Sequence, residues 1–216
     1  MSSMVEYGST ALPPEMLERL QTASILHGYK HLRMAKNPFD LALYPLLLWQ
    51  VRPRSLIEIG SFKGGSAVWF SDQGAALGLD MQVHSFDIAQ VTDVKHPNVT
   101  FHAGNARDPK TAFPLDWIAS LPRPLIVIDD ADHFYETTKA ILDHFAPLMR
   151  NGEYIVVEDG IVTPLGVADE YDGGPIRAIA EFVPANTARF EIDRRYCDRF
   201  GHNVTWNIDG YLKCIA

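Results

Sequence analysis

The sequence predicts one α/β domain built around a doubly wound, mostly parallel sheet. Three observations predict it: strand-like and helix-like segments alternate through the middle of the chain, the strand-like segments are largely apolar, and polar side chains follow several of them directly. Alternation at this spacing is typical of βαβ units. Apolar strands are typical of a parallel sheet that helices cover on both faces.

Two helices are predicted ahead of the first strand. The first begins at Pro13, and the second begins at Pro38 and continues to about Gln50. Proline is favoured in the first turn of a helix because its missing N–H would be unpaired there in any case. We therefore divide the single domain into a helical N-terminal extension, residues 1–52, and a core, residues 53–216.

The core accounts for seven predicted strands. Five are parallel candidates, at residues 55–60, 81–87, 99–104, 124–129 and 154–159, with helices at 64–78, 108–120 and 134–149. Residues 190–193 and 204–215 are predicted to add an antiparallel pair. Ligands of such sheets bind beyond the carboxyl ends of the parallel strands. In this chain those ends carry Glu58, Gly60, Asp87, Gly104, Asn105, Asp129, Asp130, Glu158 and Asp159.

Composition narrows the class of protein. The 216 residues are 47% hydrophobic and 21% charged, which is typical of a globular domain. A net charge of −8 argues against a general nucleic-acid binder. Cys197 and Cys214 form no C-x-x-C pair, so we expect reduced thiols. Residues 1–10 lack an apolar leader and residues 41–51 are too short to span a bilayer, so we expect a cytoplasmic protein without a membrane partner.

A glycine-rich loop joins the first core strand to its helix, in the segment Glu58-Ile-Gly-Ser-Phe-Lys-Gly-Gly-Ser66. Glycine lets a ligand approach the backbone, and a helix start offers unpaired N–H groups to an anion. The alternative is a tight turn that needs glycine for steric reasons alone. The spacing is neither G-x-G-x-x-G nor a P-loop, which disfavours a nicotinamide cofactor and excludes a P-loop nucleotide site.

Glu58-x-Gly60 resembles instead the first motif of S-adenosylmethionine (SAM)-dependent methyltransferases. The resemblance implies that the loop holds the methionine part of SAM, that Asp87 binds the ribose hydroxyls, and that Asn105 with Asp108 reads the adenine. The predicted cofactor-binding residues are Glu58, Gly60, Ser61, Phe62, Lys63, Gly64, Gly65, Ser66, Asp87, Asn105, Asp108 and Asp130.

Carboxylates cluster after two strands, in Asp129-Asp-Ala-Asp132 and in Glu158-Asp159. If these strands are neighbours, the carboxylates converge and repel one another unless a cation neutralises them. A hard divalent cation with oxygen ligands, Mg²⁺ above all, fits such a set. Two structural alternatives stay open: Asp129 caps the following helix, or Glu158 pairs with an arginine.

His133 follows the first carboxylate group directly. Histidine titrates near neutrality, so it can take a proton from a substrate hydroxyl as a catalytic base. The alternative is a structural histidine at a helix start that bonds a carboxylate.

Several segments together resemble the family named after cephalosporin hydroxylase, which has the class I SAM methyltransferase fold. They are Lys36-Asn-Pro-Phe-Asp40, Glu58 to Ser66, Asp129-Asp-Ala-Asp-His133, Tyr154-Ile-Val-Val-Glu-Asp-Gly160, Gly173-Gly-Pro175 and Gly210-Tyr-Leu-Lys213. The resemblance covers roughly residues 30–216. It implies a relation to magnesium-dependent sugar and macrolide O-methyltransferases, and a place in natural-product tailoring such as antibiotic biosynthesis.

The resemblance leaves the first metal ligand open. In catechol-type and macrolide enzymes it lies twenty-eight positions before the second ligand, which from Glu158 gives Asp130 and makes His133 the catalytic base. In the cephalosporin-type branch the interval is shorter and favours Asp132. We predict Asp130, Glu158 and Asp159 as ligands and keep Asp132 as a fourth candidate.

The expected function is therefore magnesium-dependent transfer of the SAM methyl group to a hydroxyl of a small natural-product-like acceptor. The alternative is a SAM-fold tailoring protein that acts in hydroxylation or isomerisation, or as a non-methylating partner of another enzyme. A nucleic-acid methyltransferase is disfavoured because no N-P-P-Y-like motif follows the strands. We expect a homo-oligomer. Candidate acceptor-pocket residues are Tyr135, Tyr171, Asp172, His202 and Trp206, and Lys36 is expected to reach the site from the helical N-terminal region.

Overall fold

The structure is a computed structural model that describes residues 7–216, so part of the polar start at residues 1–10 lies outside it. Its elements in chain order are α1 Pro14–Ile25, β1 Gly28–Tyr29, β2 Leu32–Arg33, α2 Pro38–Val51, β3 Ser55–Ile59, α3 Gly65–Ala76, β4 Gln82–Asp87, β5 Val99–Ala103, α4 Pro109–Ala112, α5 Leu115–Ser120, β6 Leu125–Asp129, α6 Tyr135–Phe145, β7 Tyr154–Val157, α7 Gly174–Ala185, β8 Phe190–Ile192, α8 Arg194–Cys197 and β9 Tyr211–Cys214. Within this part of the chain, none of the helices combines the length and apolar character needed to cross a membrane.

The central sheet has seven strands in the order β5-β4-β3-β6-β7-β9-β8. The five strands from β5 to β7 are parallel, and β9 runs antiparallel to both of its neighbours. The predicted fold class is confirmed, including the two helices ahead of the first core strand. Because the chain leaves β3 towards β4 and later returns on its other side to β6, the strand order reverses between β3 and β6.

Both faces of the sheet are covered by separate apolar cores. Successive side chains of a strand point to opposite faces, and in β3 Ile57 joins one core while Leu56 joins the other. The first core includes Ile141 of α6 and Ile179 of α7. The second includes Leu47 of α2 and Phe70 of α3. Helices on both faces therefore bury the parallel strands completely, as the apolar strand pattern predicts.

Prolines shorten two predicted helices. The predicted helix at 108–120 is two short helices, because Pro114 lies between α4 and α5 and cannot continue the hydrogen-bond ladder. The helix predicted to reach residue 149 ends at Phe145, and Ala146–Leu148, which contains Pro147, forms a 3-10 turn.

Three features of the structure differ from the sequence expectation. The β1–β2 hairpin turns through Lys30 and His31, both at positive φ, and α7 occupies a region without a predicted helix. The last predicted strand is confined to β9 because the preceding residues form a buried loop. In that loop the Asn203 side chain donates to Asp209 Oδ1 at 3.0 Å.

The carboxyl ends of the central strands are joined by backbone hydrogen bonds that continue past the sheet ladder. Gly60 N donates to Phe86 O at 2.7 Å, and Asp130 N donates to Ile59 O at 2.9 Å. Glu158 N donates to Asp129 O at 2.9 Å. The residues after β3, β4, β6 and β7 therefore form one continuous edge, and this edge carries the predicted site.

Substitution of Gly60 measures whether the close approach between the ends of β3 and β6 requires glycine at this position. A Cβ at Gly60 would lie 1.8 Å from the Asp130 backbone oxygen, and Gly60 has φ +111°. We expect Gly60→Ala to lower the free energy of unfolding by at least about 3 kcal/mol in urea denaturation. Gly78 is the control, because it has φ +66° but no atom within 4 Å of an added Cβ.

We expect Gly78→Ala to cost only about 1 kcal/mol, from the left-handed conformation alone. Equal losses for the two variants would show that conformational strain, rather than the contact with Asp130, requires glycine at position 60.

Candidate active site

A cavity of about 720 Å³ opens at the reversal point of the strand order. Its walls come from the glycine loop, the ends of β4, β6 and β7, and the segment after β5. Gln21 and Ile25 of α1 close one side, together with Met34 and Ala35 from the segment before α2. The cavity therefore lies where doubly wound folds bind their ligands.

Half of the predicted cofactor-binding residues lie on the cavity wall. These residues are Gly60, Phe62, Ser66, Asp87, Asn105 and Asp130. Phe62 N donates to Asp87 Oδ2 at 2.8 Å, which ties the glycine loop to the end of β4. Asp87 Oδ1 also accepts from Ala89 N at 3.3 Å. The carboxylate of Asp87 is thus held in place at the cavity by two backbone groups.

The remaining predicted cofactor residues do not line the cavity. Gly64 caps α3 at φ 78°, Gly65 begins that helix, and Lys63 lies over the exposed ring of Phe62. Asp108 immediately precedes α4 and does not line the cavity, whereas Asn105 does. Their predicted contacts with a cofactor stay predictions.

Glu58 and Ser61 are buried beneath the loop. Ser85 Oγ donates to Glu58 Oε2 at 2.5 Å and lies 2.6 Å from Ser61 Oγ, so one serine of β4 connects both residues. Burial raises the pKa of Glu58 to about 7, although the ammonium group of Lys36 opposes this. Glu58 Oε1 is buried and has no hydrogen-bond partner within residues 7–216.

Two of the four predicted metal ligands, Asp130 and Asp159, lie together with the predicted base His133 at the ends of β6 and β7. Asp130, His133 and Asp159 each offer one ligand atom, and these atoms lie within 4.8 Å of one another. Glu158 lies deeper, where Tyr44 donates to its Oε1 at 2.5 Å and Lys36 Nζ donates to its Oε2 at 2.5 Å. Lys36 Nζ also donates to Asp130 Oδ2 at 2.5 Å. Lys36 thereby links two of the three preferred ligands.

Asp132 lies outside this group. Arg107 Nε donates to Asp132 Oδ2 at 2.7 Å, and Phe134 N donates to Asp132 Oδ1 at 3.3 Å. Burial raises the pKa of Asp132, but the hydrogen bonds from Arg107 and Phe134 N help to outweigh it and leave the pKa below its usual value. The structure gives Asp132 a role in the helix start, while its role as a metal ligand stays a prediction.

The cluster carries more negative than positive charge. Burial raises the pKa of Asp130 to about 6 and that of Glu158 to about 6, even though Lys36 stabilises both carboxylates. Burial lowers the pKa of Lys36, but Asp130 and Glu158 together raise it well above its usual value, so the ammonium stays charged. Oxygen donors that share unneutralised charge fit a hard divalent cation such as Mg²⁺.

His133 and Asp159 are held in strained backbone conformations. Their φ angles are 62° and 56°, in the left-handed region that non-glycine residues adopt at a cost of about 1 kcal/mol or more each. His133 Nδ1 lies 3.3 Å from Asp159 Oδ2. Burial lowers the pKa of His133, but Asp159 and Asp130 outweigh it and raise the pKa above its usual value.

The candidate acceptor residues separate into two groups. Trp206 lines the cavity, and the Tyr171 ring packs 5.8 Å from the His133 ring. The other side chains contact groups away from the site: Tyr135 donates to Glu181, Asp172 pairs with Arg177, and His202 bonds Ser9.

Two contacts within the site have no local sequence signal. Tyr44 looks like an ordinary apolar helix position, yet it holds Glu158. Gln21 and Ile25 belong to a helix that precedes the core, yet they wall the cavity. A buried hydroxyl and a helix packed over the sheet edge become apparent only from the three-dimensional structure.

The model of the family described as Rhamnosyl O-methyltransferase/CmcI matches residues 25–215. The chain belongs to this family. The predicted resemblance is thereby confirmed, because the match covers most of the chain.

Individual members of the family also match this chain over most of its length. A protein named rhamnosyl O-methyltransferase from Mycobacterium leprae is 26% identical over 185 residues, which is 84% of this chain and 80% of the relative. A solved CmcI structure in a Mg–SAM form is 28% identical with a TM-score of 0.70, covering 89% of this chain and 78% of that one. An apo structure of CmcI gives 27% identity and a TM-score of 0.72, with 89% and 77% coverage.

Divalent-cation binding distinguishes the two candidates for the first ligand. Because a ligand atom of Asp130 lies within 4.8 Å of one of Asp159 and Asp132 bonds Arg107, we expect Asp130→Asn to weaken Mn²⁺ binding by roughly tenfold or more, measured by calorimetry. Asp132→Asn, the matched variant, should change it less than about threefold. The opposite ranking would identify Asp132 as the ligand and imply that its side chain leaves Arg107.

Proposed function

We propose that this chain is a magnesium-dependent O-methyltransferase that moves the methyl group of SAM to a sugar hydroxyl of a small natural-product-like acceptor. The observation that carries the proposal is the convergence of Asp130, His133 and Asp159 at a cavity that the glycine loop also lines. A cofactor, a cation and an acceptor can share this cavity, and the side chains of a proton acceptor and of cation ligands are already adjacent.

Family membership supports the reaction type. The chain is a SAM-dependent O-methyltransferase by family, and its relatives' names specify a rhamnosyl hydroxyl as acceptor. The CmcI structure in a Mg–SAM form supports SAM and Mg²⁺ as cofactors. A sugar acceptor, a cytoplasmic location and a homo-oligomeric assembly extend beyond these matches and are part of the proposal.

The cavity suits SAM together with a small acceptor. Its volume of about 720 Å³ falls in the range of ligand sites that enclose most of their ligand. Asp87 offers an acceptor-only carboxylate to two ribose hydroxyls, which are donors. Gly60 lines the cavity, so the methionine part of SAM can lie against the loop backbone at this position.

Asp130, Glu158 and Asp159 would hold Mg²⁺ through carboxylate oxygens. When bound, the ion lowers the pKa of an acceptor hydroxyl and fixes its position as a Lewis acid. Tyr44 and Lys36 orient Glu158 through its two oxygens, and Glu158 is 5% exposed. The chain therefore fixes the ligands from behind and leaves the cavity side to the acceptor.

His133 accepts the proton of the acceptor hydroxyl. Its Nδ1 faces Asp159, so Nε2 is the nitrogen left to take the proton. The acceptor oxygen forms a bond to the methyl carbon as the carbon–sulfur bond of SAM breaks, and S-adenosylhomocysteine leaves with the electron pair of that bond. The hydroxyl proton stays on His133 until it passes to water, so the charges balance.

Turnover of defined acceptors tests the proposal. We expect the purified chain, given SAM, Mg²⁺ and rhamnosylated acceptors, to form an acceptor heavier by one methylene unit and an equal amount of S-adenosylhomocysteine, both measured by mass spectrometry. Removal of Mg²⁺ by EDTA should stop the reaction. SAM binding in calorimetry without turnover of glycosylated, phenolic or β-lactam acceptors would favour a non-methylating role instead.

The proposed role of His133 as the proton acceptor is tested separately. We expect His133→Gln to lower kcat by about 10²–10⁴ while the Kd for SAM stays within a factor of about two, because His133 acts on the acceptor proton. His202→Gln is the control, since His202 is exposed and pairs with Asp198. An unchanged kcat for His133→Gln at saturating acceptor would assign His133 a purely structural role.

A further inference from the structure

Lys36 is a buried cation at the point where the proposed metal ligands meet. Its side chain is 3% exposed, and Nζ lies 2.5 Å from both Asp130 Oδ2 and Glu158 Oε2. A buried ammonium with two carboxylates compensates for its lost hydration through short charged hydrogen bonds. The two carboxylates in turn need a cation in this position, because unneutralised buried charges are costly.

The lysine backbone is fixed on both sides. Ala35 has φ 52°, in the left-handed region, and Asn37 caps α2 by accepting from Phe39 N at 2.8 Å. The buried Asp40 carboxylate accepts from Trp206 N at 3.1 Å and ties the start of α2 to the core. The backbone therefore directs the side chain to the site, and only the flexible four-carbon stem can change its position.

The hydrogen bonds of Glu158 place Lys36 in competition with a metal ion. One oxygen accepts from Tyr44 and the other from Lys36, so both carboxylate oxygens are engaged. A divalent cation needs oxygens of Asp130 and Glu158 at about 2.0–2.1 Å, a shorter distance than an ammonium reaches. An ammonium and a divalent cation also repel each other strongly at such separations.

A third carboxylate, Glu58, offers Lys36 another position. The Glu58 charge acts on Lys36, and Glu58 Oε1 is buried without a hydrogen bond of ordinary geometry among the described residues, Ser66 being a hydroxyl that also acts on this carboxyl. A buried carboxylate oxygen without a donor is an unsatisfied group. An ammonium that moves from Asp130 to Glu58 would satisfy it without returning to water.

We propose that Lys36 is a built-in competitor of the divalent cation, which neutralises Asp130 and Glu158 in the metal-free protein and moves towards Glu58 when the ion binds. This rests on the magnesium site of the proposed function. Lys36 is then a positioning residue, since it keeps both carboxylates in ligand geometry before the ion arrives and sets how tightly the ion is held.

Mn²⁺ binding without SAM or acceptor tests the competition directly. We expect Lys36→Met, which keeps the length of the side chain but removes its charge, to bind Mn²⁺ roughly tenfold or more tightly than the native chain in calorimetric titration. Lys36→Arg keeps the charge and should stay within about threefold of the native affinity. Lys139→Met, which removes a surface lysine paired with Asp143, should leave the affinity unchanged.

Thermal unfolding adds a measurement that needs no turnover. In EDTA, Lys36→Met should unfold at a lower temperature than the native chain, because two buried carboxylates lose their counter-cation. Saturating Mn²⁺ should raise its Tm by more than that of the native chain. Equal or weaker Mn²⁺ binding by Lys36→Met, or no binding by either protein, overturns the proposal, whereas absence of methyl transfer does not bear on it.

Crystals of the native chain keep the proposal testable if Lys36→Met fails to fold. In crystals grown with EDTA, Nζ should lie within hydrogen-bond distance of Asp130 and Glu158. In crystals soaked with Mn²⁺, anomalous density should appear beside Asp130 and Nζ should move towards Glu58 Oε1. An ion at Asp130 with Nζ still bonded to both carboxylates would overturn the competition.

Discussion

Concentrated negative charge at the carboxyl edge of the sheet is the constraint on which the rest of this structure depends. Three adjacent parallel strands, β3, β6 and β7, each bring an acidic residue to that edge. Buried carboxylates in such numbers are stable only beside a cation. Lys36 supplies one positive charge from outside the sheet, and the remaining excess gives the edge its affinity for a second cation.

This constraint explains features that otherwise look unrelated. In the segment before α2, Ala35 has a left-handed backbone conformation, and the next residue, Lys36, reaches beneath the cavity. Tyr44 of α2 holds the same glutamate from the other side, so α2 supports the site as well as the second apolar core. The strained backbones of His133 and Asp159 bring a nitrogen base and a carboxylate to the rim. The N-terminal helices therefore contribute to the candidate site.

Much of the core could be predicted because its signals are local. Uniformly apolar strands require cover on both faces, and acidic residues that follow them must meet if the strands are adjacent. Asp130 and Asp159, two of the predicted metal ligands, do meet beside the predicted base His133. Helix boundaries were less predictable, since Pro114 divides one predicted helix, and α7 was not predicted although Pro175 stands in its first turn. The choice between Asp130 and Asp132 rests on side-chain direction, which spacing alone leaves open.

By itself, the sequence determined the parallel sheet, the glycine loop and the residues that stand at the strand ends, because each depends on the order of neighbouring residues. The tertiary structure alone decided which charges touch. Lys36 and Glu158 are distant in the chain, and their contact depends on how α2 packs over β6 and β7. Asp132 turns to Arg107 for the same reason: electrostatic partners are chosen by proximity in space, which the fold creates.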